Sequence, residues 1–116
     1  MSIKEIGSAL RKTSRLCRDL KIDKKEFFGG SMTISSLGGI GGTFFTPIIN
    51  PPEVAILGVG KSFDRLVKVK DKFVSRKILP ISLSYDHRII DGAEGARFCV
   101  YLGKCLGKDF AFKLAV

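Results

Sequence analysis

The sequence predicts an α+β domain, and three observations point to that class. Apolar residues recur at helical spacing near the N-terminus. Short apolar and β-branched runs, punctuated by glycine and proline, fill the middle of the chain. A capped helical segment follows near the C-terminus, so the order is helix, strands, helix. The 116 residues suit one domain, and 45% hydrophobic with 27% charged residues is ordinary for a globular protein.

The first element spans Ile3 to Leu20. Ile3, Ile6, Leu10, Thr13 or Cys17, and Leu20 fall at helical spacing, and Lys4, Arg11, Lys12, Arg15 and Arg18 take the other side. That spacing predicts a helix with one buried and one wet face. Asp23, three residues before Glu26, resembles a capping box for a short helix through Phe28, closed by Gly29-Gly30. Met32 to Ser35 reads as a strand and Gly38 to Gly42 as a tight loop. Pro47, Pro51 and Pro52 bracket Ile48-Ile49-Asn50; lacking backbone N–H groups, they keep this stretch irregular or at a strand end. Val54 to Val59 is a short apolar run, expected as a buried strand. Leu66 to Val69 and Phe73 to Ser84 read as strands joined near Lys70-Asp71-Lys72. Asp91-Gly92-Ala93-Glu94 forms a second capping box and opens a helix to about Leu106, stopped at Gly107. There is no internal repeat and no linker.

Several function classes are set aside at this level. No apolar run reaches the roughly 18 residues of a membrane span, and the N-terminus is amphipathic, unlike a signal peptide. Cys17, Cys99 and Cys105 are odd in number and lack Cys-x-x-Cys spacing. They imply free thiols in a reducing compartment, with neither a disulfide framework nor a zinc site, and no metal is expected. The formal net charge is +9, but it is dispersed and accompanies no RNA-binding aromatic motif or basic recognition helix. Nucleic acid is therefore not expected as a partner.

Two glycine runs could mislead. Gly58-Val59-Gly60-Lys61-Ser62 ends like a phosphate-binding loop, but its first glycine would stand where Ala55 does. Gly39-Ile40-Gly41-Gly42 lacks the last glycine of a dinucleotide fingerprint, since Phe44 occupies that place. Tight turning where no side chain fits is the better account of both.

His87 is the single histidine. An imidazole accepts a proton near neutrality without help, which makes His87 a candidate general base. On residue type alone, a surface or satisfied core histidine is the more ordinary reading.

The surrounding residues change that balance. Leu79 to Phe98, LPISLSYDHRIIDGAEGARF, resembles the active-site segment of the dihydrolipoyllysine acyltransferases of 2-oxoacid dehydrogenase complexes, whose hallmark is His-Arg-x-x-x-Asp-Gly after a strand. Met32 to Ser62, MTISSLGGIGGTFFTPIINPPEVAILGVGKS, is similar to the same family's other signature in order and spacing. The resemblance runs from about Ile3 to about Leu106. It corresponds to the C-terminal half of that family's catalytic domain, with no lipoyl or subunit-binding domain in these residues.

The resemblance carries definite implications. The fold is a partial chloramphenicol-acetyltransferase-like arrangement, a mixed sheet flanked by helices. Such chains assemble as homotrimers and then as larger cores, with each active site between subunits and the other dehydrogenase components as partners. The activity is acyl transfer between a dihydrolipoyl group and coenzyme A, both substrates, with no bound cofactor. The wording Pro80 to Ser84 and Gly92 to Phe98 favours the acetyl-transferring, pyruvate-linked branch. A bacterial chain would act in the cytoplasm and a eukaryotic one in the mitochondrial matrix. The positive field would also attract the phosphates of coenzyme A.

Acyl transfer between thiols needs a base, because the thiolate is the nucleophile, and a donor where charge develops on the thioester oxygen. His87 matches the base and Ser35 the donor, with Ser36 as the alternative that strand alternation points the other way. Asp91 admits three readings: a partner orienting His87, a structural residue ion-paired with arginine, or a helix cap. Arg88 and Asn50 match supporting positions, and Gly92 is expected to permit close backbone approach or an unusual dihedral. The alternative function is a non-catalytic core or assembly fragment of such a complex.

Overall fold

A computed structural model describes residues 1–107 and Phe110. The described residues divide into two compact units, one containing Met1–Gly30 and those from Leu102 to 107, the other Ser31–Tyr101.

In the first unit, α1 runs over Ile3–Arg18. Its start is a capping box that the sequence reading passed over: the Ser2 hydroxyl accepts from the Glu5 N–H at 3.3 Å, and the Glu5 carboxylate accepts from the Ser2 N–H at 2.6 Å. The helix stops two residues before the expected Leu20. Leu20 adopts φ 54°, while its N–H donates to the Cys17 carbonyl and the Lys21 N–H to the Leu16 carbonyl. Those two bonds form a Schellman ending, with leucine at the left-handed position that glycine usually fills. The next element, Lys24–Phe27, is a 3₁₀ turn. Asp23 caps it through the Lys25 N–H at 3.0 Å, so the donor is the second residue of the element and not Glu26, as the expected capping box required.

The second unit is built on strands β1 Thr33–Ser36, β2 Ala55–Val59, β3 Phe63–Val69, β4 Lys72–Ile78 and β5 Ile81–Tyr85, followed by helix α2, Gly92–Cys105, of which the residues through Tyr101 belong to this unit. β1, β2 and β5 form a sheet in that order; β1 lies parallel to β2, and β5 antiparallel. The mixed sheet with helices is the expected α+β class.

β3 and β4 form a separate two-stranded hairpin closed at Lys70-Asp71, where Lys70 takes φ 56°. The single strand expected over Phe73 to Ser84 is therefore two, belonging to different sheets. Pro80 marks the break: it has no N–H for a ladder, and its carbonyl instead accepts from the Gly60 N–H at 3.0 Å.

The core sits on the central strand. Ala55, Ile56 and Leu57 are buried because β2 is paired on both edges. Gly58 and Gly60 extend this strand for steric reasons. A Cβ on Gly58 would meet the Phe45 ring at 2.9 Å, and one on Gly60 would stand 2.0 Å from the Thr43 carbonyl oxygen. These glycines let neighbouring groups approach, as expected.

Candidate functional site

The register of the three-stranded sheet fixes where the candidate residues stand. Ser35 is level with Gly58, and Gly58 with Ser82. Along β1, Thr33 and Ser35 are half-buried while Ile34 and Ser36 are exposed, so the two serines take opposite faces. The Thr33 hydroxyl on the Ser35 face donates to the Glu53 carboxylate. Glu53 is itself placed by a turn in which its N–H donates to the Asn50 carbonyl at 3.0 Å. Asn50 is exposed, and its backbone carbonyl is what this turn uses.

At the other end of the sheet, β5 finishes at Tyr85, level with Ala55. One more bond continues the ladder, from the Asp86 N–H to the Val54 carbonyl at 2.8 Å. The chain then turns tightly, because the Asp86 carbonyl accepts from both Ile89 and Ile90 N–H at 3.0 Å. His87 is the first residue of that turn and its side chain is exposed.

Ser35 and His87 are consequently far apart within one chain. Ser82 and Tyr85 are three positions apart along β5, and β1 lies two strand spacings from β5. Strand rise and spacing put Ser35 and Tyr85 about 14 Å apart, and His87 lies beyond Tyr85.

Arg88 belongs to Asp86. Its Nε lies 2.9 Å from Asp86 Oδ1 and its Nη2 2.7 Å from Oδ2, a bidentate fork, while its backbone N–H donates to Oδ1 at 3.0 Å. These bonds, the guanidinium first, hold the Asp86 carboxyl at about 2, below its ordinary 3.8. The same pairing raises Arg88 above its ordinary value. The clasp encloses His87 in sequence and stiffens the turn that presents it. Asp86 is a residue the sequence reading did not single out, although an aspartate accepting the N–H two residues on is a recognisable Asx turn.

Asp91 caps α2, its Oδ1 accepting from the Glu94 N–H at 2.7 Å. Of the three readings of Asp91, the cap is the one this geometry brings together. The motif's arginine is engaged by Asp86 instead. Gly92 also differs from expectation. A Cβ there would meet only ordinary contacts, 3.8 Å from Tyr85 Oη and 4.0 Å from His87 Nε2. The close approach occurs at Gly95, where a Cβ would stand 2.9 Å from Tyr85 Cε1.

These surroundings leave an exposed imidazole on a stiff turn at one end of the sheet, and a half-buried hydroxyl toward the other. The imidazole can take a proton from a group arriving from outside the chain, and the hydroxyl can donate to a developing oxyanion.

Residues 1–111 match the family described as 2-oxoacid dehydrogenases acyltransferase (catalytic domain). The chain is 53% identical over 106 residues to the dihydrolipoyllysine-residue acetyltransferase component of pyruvate dehydrogenase complex of Cupriavidus necator, covering 91% of this chain and 19% of that protein. The protein of the same description from Haemophilus influenzae is 54% identical over 102 residues, covering 88% of this chain and 18% of its own length. The solved dihydrolipoamide acetyltransferase of Azotobacter vinelandii superposes with a TM-score of 0.90 at 46% identity, covering 96% of this chain and 46% of that one. The cubic core of the pyruvate dehydrogenase multienzyme complex gives a TM-score of 0.90 at 45% identity, with the same coverage of 96% and 46%. The chain thus spans about a fifth of these curated relatives and under half of the solved chains. The Azotobacter structure addresses the role of a serine, a histidine and an asparagine in the catalytic mechanism of that protein. That serine and histidine are separated as Ser35 and His87 are, and the asparagine follows the histidine as Asp91 follows His87.

Proposed function

The chain belongs to the 2-oxoacid dehydrogenase acyltransferase family, and on that premise we propose that it supplies the histidine and serine of an acetyl-transfer site serving a pyruvate dehydrogenase complex. The substrates are coenzyme A and a dihydrolipoyl group. The observation that carries this reading is the sheet register, which sets Ser35 and His87 apart and calls for a site completed by His87 of one copy and Ser35 of another.

The chemistry follows from the two side chains. Toward acetyl-CoA, the His87 imidazole removes the proton from the coenzyme A thiol. The thiolate attacks the carbonyl carbon of the acetyl-dihydrolipoyl thioester, a carbon–sulfur bond forms, and the carbonyl electron pair moves to oxygen. The Ser35 hydroxyl donates a hydrogen bond to that oxyanion. Collapse breaks the original carbon–sulfur bond, and the departing dihydrolipoyl sulfur takes the proton from His87. Serine is never acylated. Asp86 and Arg88 hold the turn that carries the imidazole, and Asp91 caps the helix that follows it.

Other copies of the family's subunits are the partners, as a trimer and a larger core. Cys17, Cys99 and Cys105 are free thiols, which fits work in a reducing compartment such as the cytoplasm or mitochondrial matrix.

The test is acetyl transfer from acetyl-CoA to dihydrolipoamide, with the oligomeric size of the chain recorded. His87→Ala is expected to lower the rate by about 10²–10⁴-fold, and Ser35→Ala by about 10²–10³-fold. Activity retained in His87→Ala would overturn the reading. A second reading is a non-catalytic assembly part of such a core. It predicts association with full-length subunits that persists in His87→Ala, with no transfer by either form.

A further inference from the structure

Tyr85 closes β5, and its backbone is fixed by pairing with Ala55. Its ring reaches the functional turn: the centroid lies 5.7 Å from that of the His87 imidazole, with the planes inclined by 38°. Rings at such separations attract, and the face of a phenol also accommodates a cation such as the imidazolium formed when His87 takes a proton.

The ring is seated on bare helix backbone. Gly95, in the first turn of α2, is buried, and a Cβ there would approach Tyr85 Cε1 to 2.9 Å and Cζ to 3.2 Å. Any side chain at this position would push the ring. Gly92, one turn earlier, sits at ordinary contact distance from both Tyr85 and His87, its notional Cβ 3.8 Å from the phenol oxygen and 4.0 Å from Nε2. Gly95, Tyr85 and His87 thus form a chain of contacts running from helix to ring to imidazole.

We propose that Tyr85 is a positioning residue for His87, its ring seated on Gly95 and fixing the orientation of the imidazole. The inference deepens the acetyl-transfer reading and takes its catalytic consequence from it. A misplaced general base loses rate without loss of substrate binding. The aromatic face does the positioning, so the hydroxyl is dispensable.

The experiment compares Tyr85→Leu, Tyr85→Phe, Gly95→Ala and the Tyr85→Leu/Gly95→Ala double variant in the full chain. In acetyl transfer, Tyr85→Leu is expected to lower kcat about 10–100-fold with KM for acetyl-CoA and dihydrolipoamide little changed. Tyr85→Phe is expected to restore kcat. Gly95→Ala is expected to lower it, with no further loss when added to Tyr85→Leu, since both act through one ring. An unchanged kcat in Tyr85→Leu, or additive losses in the double variant, would overturn the proposal.

A second readout does not depend on activity. His87 is the only histidine, so its imidazole proton resonances are unambiguous. Gly95→Ala is expected to shift them when Tyr85 is present and to leave them in place in the Tyr85→Leu background. Shifts in both backgrounds, or in neither, would overturn the contact chain. A wild-type chain without acetyl transfer whose resonances still show this dependence would remove the acetyl-transfer reading alone.

Discussion

Ser35 and His87 stand toward opposite ends of one three-stranded sheet: Ser35 is level with Ser82, whereas His87 follows Tyr85, which is level with Ala55. β1 and β5 run antiparallel to each other because each is referred to β2, one parallel and one antiparallel. No side-chain rotation closes a gap of about 14 Å set by strand rise and spacing. On the proposed acetyl-transfer reading, each chain would contribute its serine and its histidine to different sites, and the consequences can be measured.

Asp91 is one position at which the sequence differs from the Azotobacter protein, which has asparagine at that separation from its histidine. Both residues cap helices well. Asp91→Asn is therefore expected to keep the Glu94 N–H bond, the stability and the transfer rate to within a few-fold. Asp91→Ala is expected to cost about 1 kcal/mol of stability, measured by urea unfolding. A loss of rate in Asp91→Asn as large as that in His87→Ala would instead assign the carboxylate a direct part in the proton transfer.

The Asp86–Arg88 clasp has a pH signature. The folded carboxyl lies at about 2 against an ordinary 3.8, so its contribution to stability is fully present above about pH 4 and lost as pH falls through about 2. Carboxyl carbon NMR is expected to give Asp86 a midpoint near the lower value, and Arg88→Leu to move it up toward the ordinary one. A midpoint unchanged by Arg88→Leu would mean that the fork does not form in solution.

The steric reading of the glycine run also has a direct check. Gly60→Ala puts a methyl against the Thr43 carbonyl, 2.0 Å away before relaxation. It is expected to destabilise the chain by about 1–3 kcal/mol, while Gly39→Ala, with nothing within 4 Å, is expected to be nearly neutral. Equal midpoints for the two variants in thermal unfolding would contradict the close approach.

Leu57 tests the placement of the core. It is 7% exposed at the centre of β2, and Leu57→Ala is expected to cost about 2–5 kcal/mol. A cost below 1 kcal/mol by the same unfolding measurement would mean that the central strand is not the stabilising core.

Local chemistry made much of this legible in sequence. The Asp91 cap, the glycine spacing and the apolar Val54 to Val59 run each depend on neighbouring residues, and each was found within a residue or so of its place. The division of Phe73 to Ser84 was missed because its apolar pattern runs through Leu79 and Pro80; only the pairing partners, β3 for one half and β2 for the other, reveal two strands. The Ser2–Glu5 capping box is legible in sequence as a serine three residues before a glutamate. At the candidate site, motif and spacing single out His87, Ser35 and Asp91, and of these the structure shows Asp91 in the cap that the sequence offered as one of three readings. The Asp86–Arg88 fork grows from an Asx turn that the two-residue spacing can announce, whereas the Gly95–Tyr85–His87 contacts depend on how the turn folds back onto the helix, which no linear pattern encodes.

The central claim is that the site is shared between copies, and mixing two inactive variants tests it most directly. Ser35→Ala and His87→Ala chains would be unfolded together, refolded at equal concentration and assayed for acetyl transfer. Random assembly leaves about a quarter of the sites with an intact serine from one copy and an intact histidine from its neighbour. Activity recovering toward that fraction of the wild-type rate is the expected result. Co-assembled chains that stay as inactive as either variant alone would contradict a site completed across the interface.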